Sequence, residues 1–173
     1  MKKFIMAALL AVASLSANAQ MWLGGGLGFS SEKANKDAKS VNTFTFTPEF
    51  GYKVADDIAV GIDLSYESKS SDGTTFSAFG VAPFVRFTAA TWNQVSLFFD
   101  GYFAYTSYNK DRGNKIGVGI QPGIAYTPTD AISFVAKLGN FGYSKYSDKA
   151  GGGSRVDLGF NTAAVTFGVY FNF

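Results

Sequence analysis

No cysteine and no histidine occur in the 173 residues, and charged residues make up only 16%, where an average soluble domain carries roughly 25%. Without cysteine there is no disulfide framework, no thiolate metal site and no thiol nucleophile. Without histidine the commonest general base and the commonest metal ligand are missing too. Proline is scarce, with 4 residues. Uninterrupted apolar runs are scarce as well, and none approaches the roughly eighteen residues of a membrane-spanning helix. What the chain does have is 18 Phe, 9 Tyr and 20 Gly, too aromatic for a disordered chain.

The first residues read as a targeting segment. Lys2 and Lys3 precede the apolar run Phe4–Ala13, and small residues follow as far as Ala17-Asn18-Ala19. A basic start, a short apolar stretch and an A-x-A ending make a cleavable signal peptide over 1–19. The run is about half as long as a spanning helix needs, roughly twenty residues. The predicted mature chain is 20–173, with no cysteine after the cleavage site to carry a lipid anchor. Without Lys2 and Lys3 the basic count falls from 15 to 13 and equals the 13 acidic residues. A neutral chain gives no support to nucleic acid as a partner.

Alternation with a period of two runs through the rest, which is the mark of strands. Val165, Phe167, Val169, Phe171 and Phe173 share one face of the last strand, and Thr166, Gly168, Tyr170 and Asn172 share the other. Ile58, Val60, Ile62, Leu64 and Tyr66 alternate with Ala59, Gly61, Asp63, Ser65 and Glu67. Turn residues divide the chain into eight expected strands, near 20–30, 42–54, 58–68, 75–88, 94–108, 115–127, 131–143 and 156–173. Short connections (55–57, 89–93, 128–130) alternate with longer polar ones (31–41, 68–74, 109–114, 144–155), as in an up-and-down meander. Pro48, Pro83 and Pro122 recur about five residues before a short turn and fall on the apolar face. Because proline removes a ladder bond, they predict bulges or a bend at one height.

The choice of buried face sets the class. In a soluble barrel, such as a lipocalin, the large apolar residues turn inward. Here the opposite face is mostly Gly, Ala, Ser and Thr, too small to fill a hydrophobic core at native density. With the large residues facing lipid and the small face lining a narrow lumen, the pattern is that of an all-β, eight-stranded antiparallel transmembrane barrel. Such a sheet has to close, because lipid leaves no partner for a free edge.

Two stretches carry a family resemblance. Phe46-Thr47-Pro48-Glu49-Phe50-Gly51-Tyr52 is followed by Ala55-Asp56-Asp57-Ile58-Ala59-Val60-Gly61, and the chain ends Val165-Thr166-Phe167-Gly168-Val169-Tyr170-Phe171-Asn172-Phe173. Over 20–173 the chain resembles the bacterial outer membrane protein beta-barrel domain family, small eight-stranded proteins like OmpX and the OmpA barrel. The resemblance implies a Gram-negative outer membrane, insertion by the barrel-assembly machinery, and an assembly signal in Val165, Phe167, Val169, Phe171 and Phe173. We expect a monomer.

Charged residues on the small face must turn inward: Glu49, Asp63, Glu67, Arg86, Asp100 and Lys137. Buried ions are costly unless paired. Glu49, Asp63, Arg86 and Asp100 lie on successive strands and are expected to form one network facing Lys137. Because eight strands leave an interior only wide enough for side chains, the network reads as a plug. Three of the longer connections are net basic. Lys33, Lys36 and Lys39 fall in the first, Lys110 and Arg112 in the third with Lys115 at its end, and Lys145, Lys149 and Arg155 in the fourth. Such a rim attracts lipopolysaccharide phosphates.

The expected function is non-catalytic, a structural or surface-interaction role in the envelope with no cofactor and no metal. The alternative is a narrow, porin-like channel or transporter for ions or small apolar molecules. An enzyme is the weakest reading. Ser144-Lys145 and Ser147-Asp148 lie in a loop without an oxyanion motif.

Overall fold

The computed structural model describes residues 21–32, 41–71, 74–109, 112–159 and 166–173. The expected leader and cleavage site, Val165, Lys33, Lys36, Lys39 and Lys110 lie outside these residues. Among the described residues there are ten strands: β1 Met21–Glu32, β2 Val41–Lys53, β3 Ile58–Ser71, β4 Thr74–Trp92, β5 Val95–Tyr108, β6 Asn114–Thr129, β7 Ile132–Lys137, β8 Asn140–Tyr146, β9 Ser154–Gly159 and β10 Thr166–Asn172. One 3-10 turn, Asp148–Ala150, lies between β8 and β9.

Every pairing is antiparallel, and the order returns on itself through β5–β6 and β1–β10. The ten strands make eight staves of a closed barrel, because β7 with β8 and β9 with β10 are the halves of single staves. Closure rests on a short ladder, Trp22↔Asn172 to Gly25↔Val169. Among the described residues no helix is long and apolar enough to cross a membrane, which says nothing about strands.

The expected strands are found with three differences. β4 runs to Trp92, and its turn is only Asn93-Gln94, with Asn93 left-handed at φ 51°, a conformation asparagine tolerates well. β3 continues to Ser71 and β4 starts at Thr74, so this connection is much shorter than the 68–74 read from its polar residues. Polar residues fit strands that run on past the apolar band as well as they fit a loop. The seventh and eighth staves are each divided in two.

The prolines account for one division. The β2–β3 ladder skips Thr47 and Pro48, and the β4–β5 ladder skips Ala82 and Pro83, both without change of register. Beside Pro122 the facing stave slips. β7 pairs as far as Gly123↔Lys137, β8 resumes at Ile120↔Phe141 one residue out of step, and Leu138 N donates to Pro122 O at 2.8 Å. Each proline thus marks a gap in a ladder, and the third is accompanied by a bulge.

The core is the lumen. Trp22, Ala59, Phe84, Phe98, Val135 and Tyr170 are buried there, while Leu27, Phe79, Val85, Phe103, Val118, Phe134 and Phe171 stand exposed on the outside. The expectation of an interior lined mostly by small residues and charges is therefore corrected, because four large rings occupy its middle. Each ring sits opposite a glycine in the ladder: Trp22↔Gly51, Gly61↔Phe84, Phe98↔Gly123 and Gly24↔Tyr170. A Cβ at Gly51 would collide with the Trp22 indole, and one at Gly123 with the Phe98 ring. The small residues of the inner face make room for rings from the neighbouring strand.

Candidate functional site: a charged partition in the lumen

The ladders bring the inward charges together. Glu49 pairs with Asp63 across β2–β3, and Arg86 with Asp100 across β4–β5. Lys137 is the last residue of β7, where the stave breaks, and reaches in from the far wall. Two-residue alternation turns all five side chains inward, and strand tilt brings distant staves to one level.

Arg86 holds the centre. Its Nε donates to Asp100 Oδ1 at 2.7 Å, and its Nη2 to Asp100 Oδ2 at 2.8 Å and to Glu49 Oε1 at 3.0 Å. Glu49, 1% exposed, also accepts from Trp22 Nε1 at 2.9 Å and Tyr170 OH at 2.9 Å, and lies 2.6 Å from Lys137 Nζ. Lys137 Nζ further reaches Asp63 Oδ2 at 2.9 Å and Asp100 Oδ2 at 3.3 Å. The rings complete the surroundings. The Arg86 guanidinium carbon lies 4.0 Å from the Phe98 ring centroid, 5.0 Å from that of Trp22 and 5.2 Å from that of Phe84. Charge-assisted and cation–π contacts gain strength where water is excluded.

The cluster divides the lumen. On the side of the longer connections is a cavity of about 400 Å³, whose lining includes Glu49, Asp63, Asp100 and Lys137, with Tyr102, Gln121 and Asn140 above them. On the side of the short turns is one of about 480 Å³, lined by Trp22, Arg86, Phe98 and Val135 and by turn residues such as Asp57, Gln94 and Asp130. Asp63 is the least covered member, its side chain 29% exposed to the first cavity. Polar groups on its wall are paired: Tyr102 OH donates to Asn140 Oδ1 at 2.7 Å, and Gln121 Nε2 to Gly139 O at 3.1 Å.

Glu67 shares the inward alternation but lies exposed beyond the cluster, opposite Thr45 and Ala78. Phe167, Val169 and Phe171 point outward on β10. Lys115 lines the first cavity, and Arg155 pairs with Asp157 at 2.6 Å. Lys145 faces outward near the end of β8, and Lys149 lies in the 3-10 turn. Ser147 Oγ accepts from Asn114 N at 2.9 Å. Among the described residues no group of three or more Asp or Glu side chains is placed to hold a metal ion. Sequence reasoning missed Trp22, Phe84 and Phe98. Their only signal was inward parity, and their glycine partners show only once the register is known.

No protein-family model matches the sequence, and no curated protein is significantly similar to it. Among solved structures the chain is similar to OmpT of Vibrio cholerae, an outer membrane protein. The in-vitro folded trimer form matches at 14% identity and a TM-score of 0.42 over 91% of this chain and 53% of that one. The form expressed in the outer membrane matches at 14% identity and a TM-score of 0.42, with 91% and 54% covered. The chain spans about half the length of these structures.

Proposed function

We propose that this chain is exported by its leader and set in the outer membrane of a Gram-negative cell as a small, non-catalytic barrel. Its lumen is closed by the Glu49–Arg86–Asp100–Lys137 partition, and its longer connections face outward. The observation that carries this reading is the inversion of the barrel: charges and hydrogen bonds inside, a continuous apolar face outside. In water that face would far exceed the apolar patches soluble monomers tolerate. In lipid it is the favourable surface. Tyr52, Trp92 and Tyr126, exposed toward the short turns, and Tyr66, Tyr105 and Tyr143, exposed toward the other end, fit the two interfacial aromatic belts.

The role is structural or one of surface interaction. Insertion runs through the barrel-assembly machinery by way of the terminal aromatics, and the barrel works as a monomer. The basic connections meet lipopolysaccharide, where Lys145 faces the leaflet. The absence of Cys and His, together with a Ser147 hydroxyl engaged by Asn114, supports a non-catalytic reading. A second reading, a narrow channel, is favoured by the two cavities that flank a single layer of side chains. Planar-bilayer recording of the pure chain separates the two. The plug requires no reproducible conductance steps, and steady steps overturn it in favour of the channel.

A further inference from the structure

The partition does not use the whole of the Arg86 guanidinium. Nε and Nη2 make its bonds to Asp100 and Glu49. Nη1 sits at the opposite corner with two more N–H donors, and it has no acceptor among the described residues. Nor is it shut in. Among the described residues the one enclosed, unpartnered side-chain atom is Asn109 Oδ1, so Nη1 touches open space. Arg86 lines the cavity of about 480 Å³ on the side of the short turns, and does not line the cavity on the other side. A side chain only 10% exposed therefore aims spare donors into the floor of that cavity. Donors left unmade in a buried place cost free energy, which a ligand with the right acceptor recovers.

Charge decides which acceptor fits. The partition sets three carboxylates, Glu49, Asp63 and Asp100, against two cations, Arg86 and Lys137. The mouth of the cavity sets Asp56, Asp57 and Asp130 against Lys53. Both excesses are negative and repel an anion. A cation brings no acceptor to an N–H group. The matching partner is a neutral oxygen, and an amide carbonyl is the neutral oxygen that accepts most readily. The remaining walls add shape. Trp22 and Phe98 line the floor beside Arg86 and offer apolar ring faces. Thr88, Ser133 and Asn172 supply polar groups. Asn172 Nδ2 donates to Ser133 Oγ at 2.9 Å, so its Oδ1 remains to accept a hydroxyl. The mouth is braced as well. Thr127 N donates to Gln94 O, and Thr88 N to Asp57 O, both at 2.8 Å, which lowers the ordering cost of binding.

We propose that the cavity on the side of the short turns binds an N-acetylated hexosamine. Its acetamido carbonyl accepts from Arg86 Nη1, and the C–H face of its ring lies against Trp22 and Phe98. Ring faces beside hydroxyls and an amide are the pairing of surfaces that an uncharged sugar matches. The volume lies within the range of ligand sites, roughly 300–1,000 Å³, and admits one sugar ring with its acetamido group. This goes beyond the reading above, which gives the cavity no occupant, and rests on that reading only for the compartment that supplies the sugar. The hexosamine is either free or the end of a glycan chain.

Saturation-transfer NMR on the refolded chain, in a detergent without a sugar head, tests it with N-acetylglucosamine, glucose and glucuronate as probes. N-acetylglucosamine binds saturably. Glucose lacks the amide carbonyl and binds about tenfold more weakly, the loss expected of one hydrogen bond to a charged donor. Glucuronate shows no binding. Ala125→Leu fills the cavity from β6, where Ala125 lines it, and abolishes binding. Arg86→Lys keeps the positive charge but removes Nη1, and brings N-acetylglucosamine down to the level of glucose. Thr106→Val, on the other side of the partition, leaves binding unchanged. Circular dichroism checks that each variant is folded. If Arg86→Lys does not fold, Ala125→Leu and the three probes decide the matter without it. No saturable binding of N-acetylglucosamine overturns the site. Equal binding of glucose overturns the acetamido contact, binding of glucuronate overturns the neutral ligand, and undiminished binding in Ala125→Leu overturns the location. Diacetylchitobiose then names the source. Binding as tight as that of the monosaccharide assigns the end of a glycan chain, and lost binding assigns a free sugar. Conductance alone decides the plug, so the two readings fail separately.

Discussion

Arg86 and Asp100 stand directly opposite each other in the β4–β5 ladder and are joined by two parallel bonds of 2.7 and 2.8 Å. The backbone register itself delivers the fork to the carboxylate, so neither side chain has to reach. This pair anchors the partition, and its removal has a defined consequence. Arg86→Ala leaves Asp100 and Glu49 without their shared cation, and losing one partner of a buried pair costs about 3–5 kcal/mol. Arg86→Met combined with Asp100→Leu costs less than Arg86→Ala alone, since Asp100 is then no longer stranded and Glu49 keeps Lys137. Urea unfolding in liposomes measures both. A change within assay error for Arg86→Ala would place Arg86 in solvent and remove it from the partition.

The ring-over-glycine pairs give a second expectation. Gly51→Ala puts a methyl group into the Trp22 indole, and overpacking of this kind costs about 1–3 kcal/mol. Trp22→Leu in the Gly51→Ala background recovers part of that loss, although Trp22→Leu alone is destabilising through its lost bond to Glu49. The double-mutant cycle therefore shows a coupling of opposite sign to its single-mutant costs. Additive effects would mean that the two residues are not in contact.

Membrane placement is tested at Val118, 54% exposed on β6. In a bilayer, Val118→Arg costs about 2–4 kcal/mol if the residue lies near mid-depth. In a water-soluble barrel the same surface change stays within about 0.5 kcal/mol. Folding titrations in liposomes, with Ala104→Ser on the inner face as a reference, separate the two cases.

The expected leader gives the simplest measurement. Intact mass of the membrane-extracted protein should correspond to a chain that starts at Gln20. A retained Met1 would remove the signal peptide and, with it, the export step of the proposed function.

Most of the architecture was legible along the chain because a strand shows alternate residues to opposite sides. Polarity at Phe79, Val81, Val85 and Phe87 against Arg86 therefore states the face of each without any partner. Turn residues marked the staves. Local pattern could not place β3–β4 as an extended hairpin, nor show the slip beside Pro122, because both depend on which residues face each other across a ladder. The same holds for the site. Inward charges at Glu49, Asp63, Arg86, Asp100 and Lys137 were readable one strand at a time, but Glu67 read the same way and lies apart. Register and tilt decide which inward charges share a level, and these are properties of the closed sheet. Only closure brings β7 to β2 and lets Lys137 meet Glu49, and only the ladder sets Trp22, Phe84 and Phe98 over Gly51, Gly61 and Gly123. Sequence alone determined which side of each strand faces inward. The tertiary structure decided who meets there, because contact across a barrel is fixed by pairing between strands far apart in the chain.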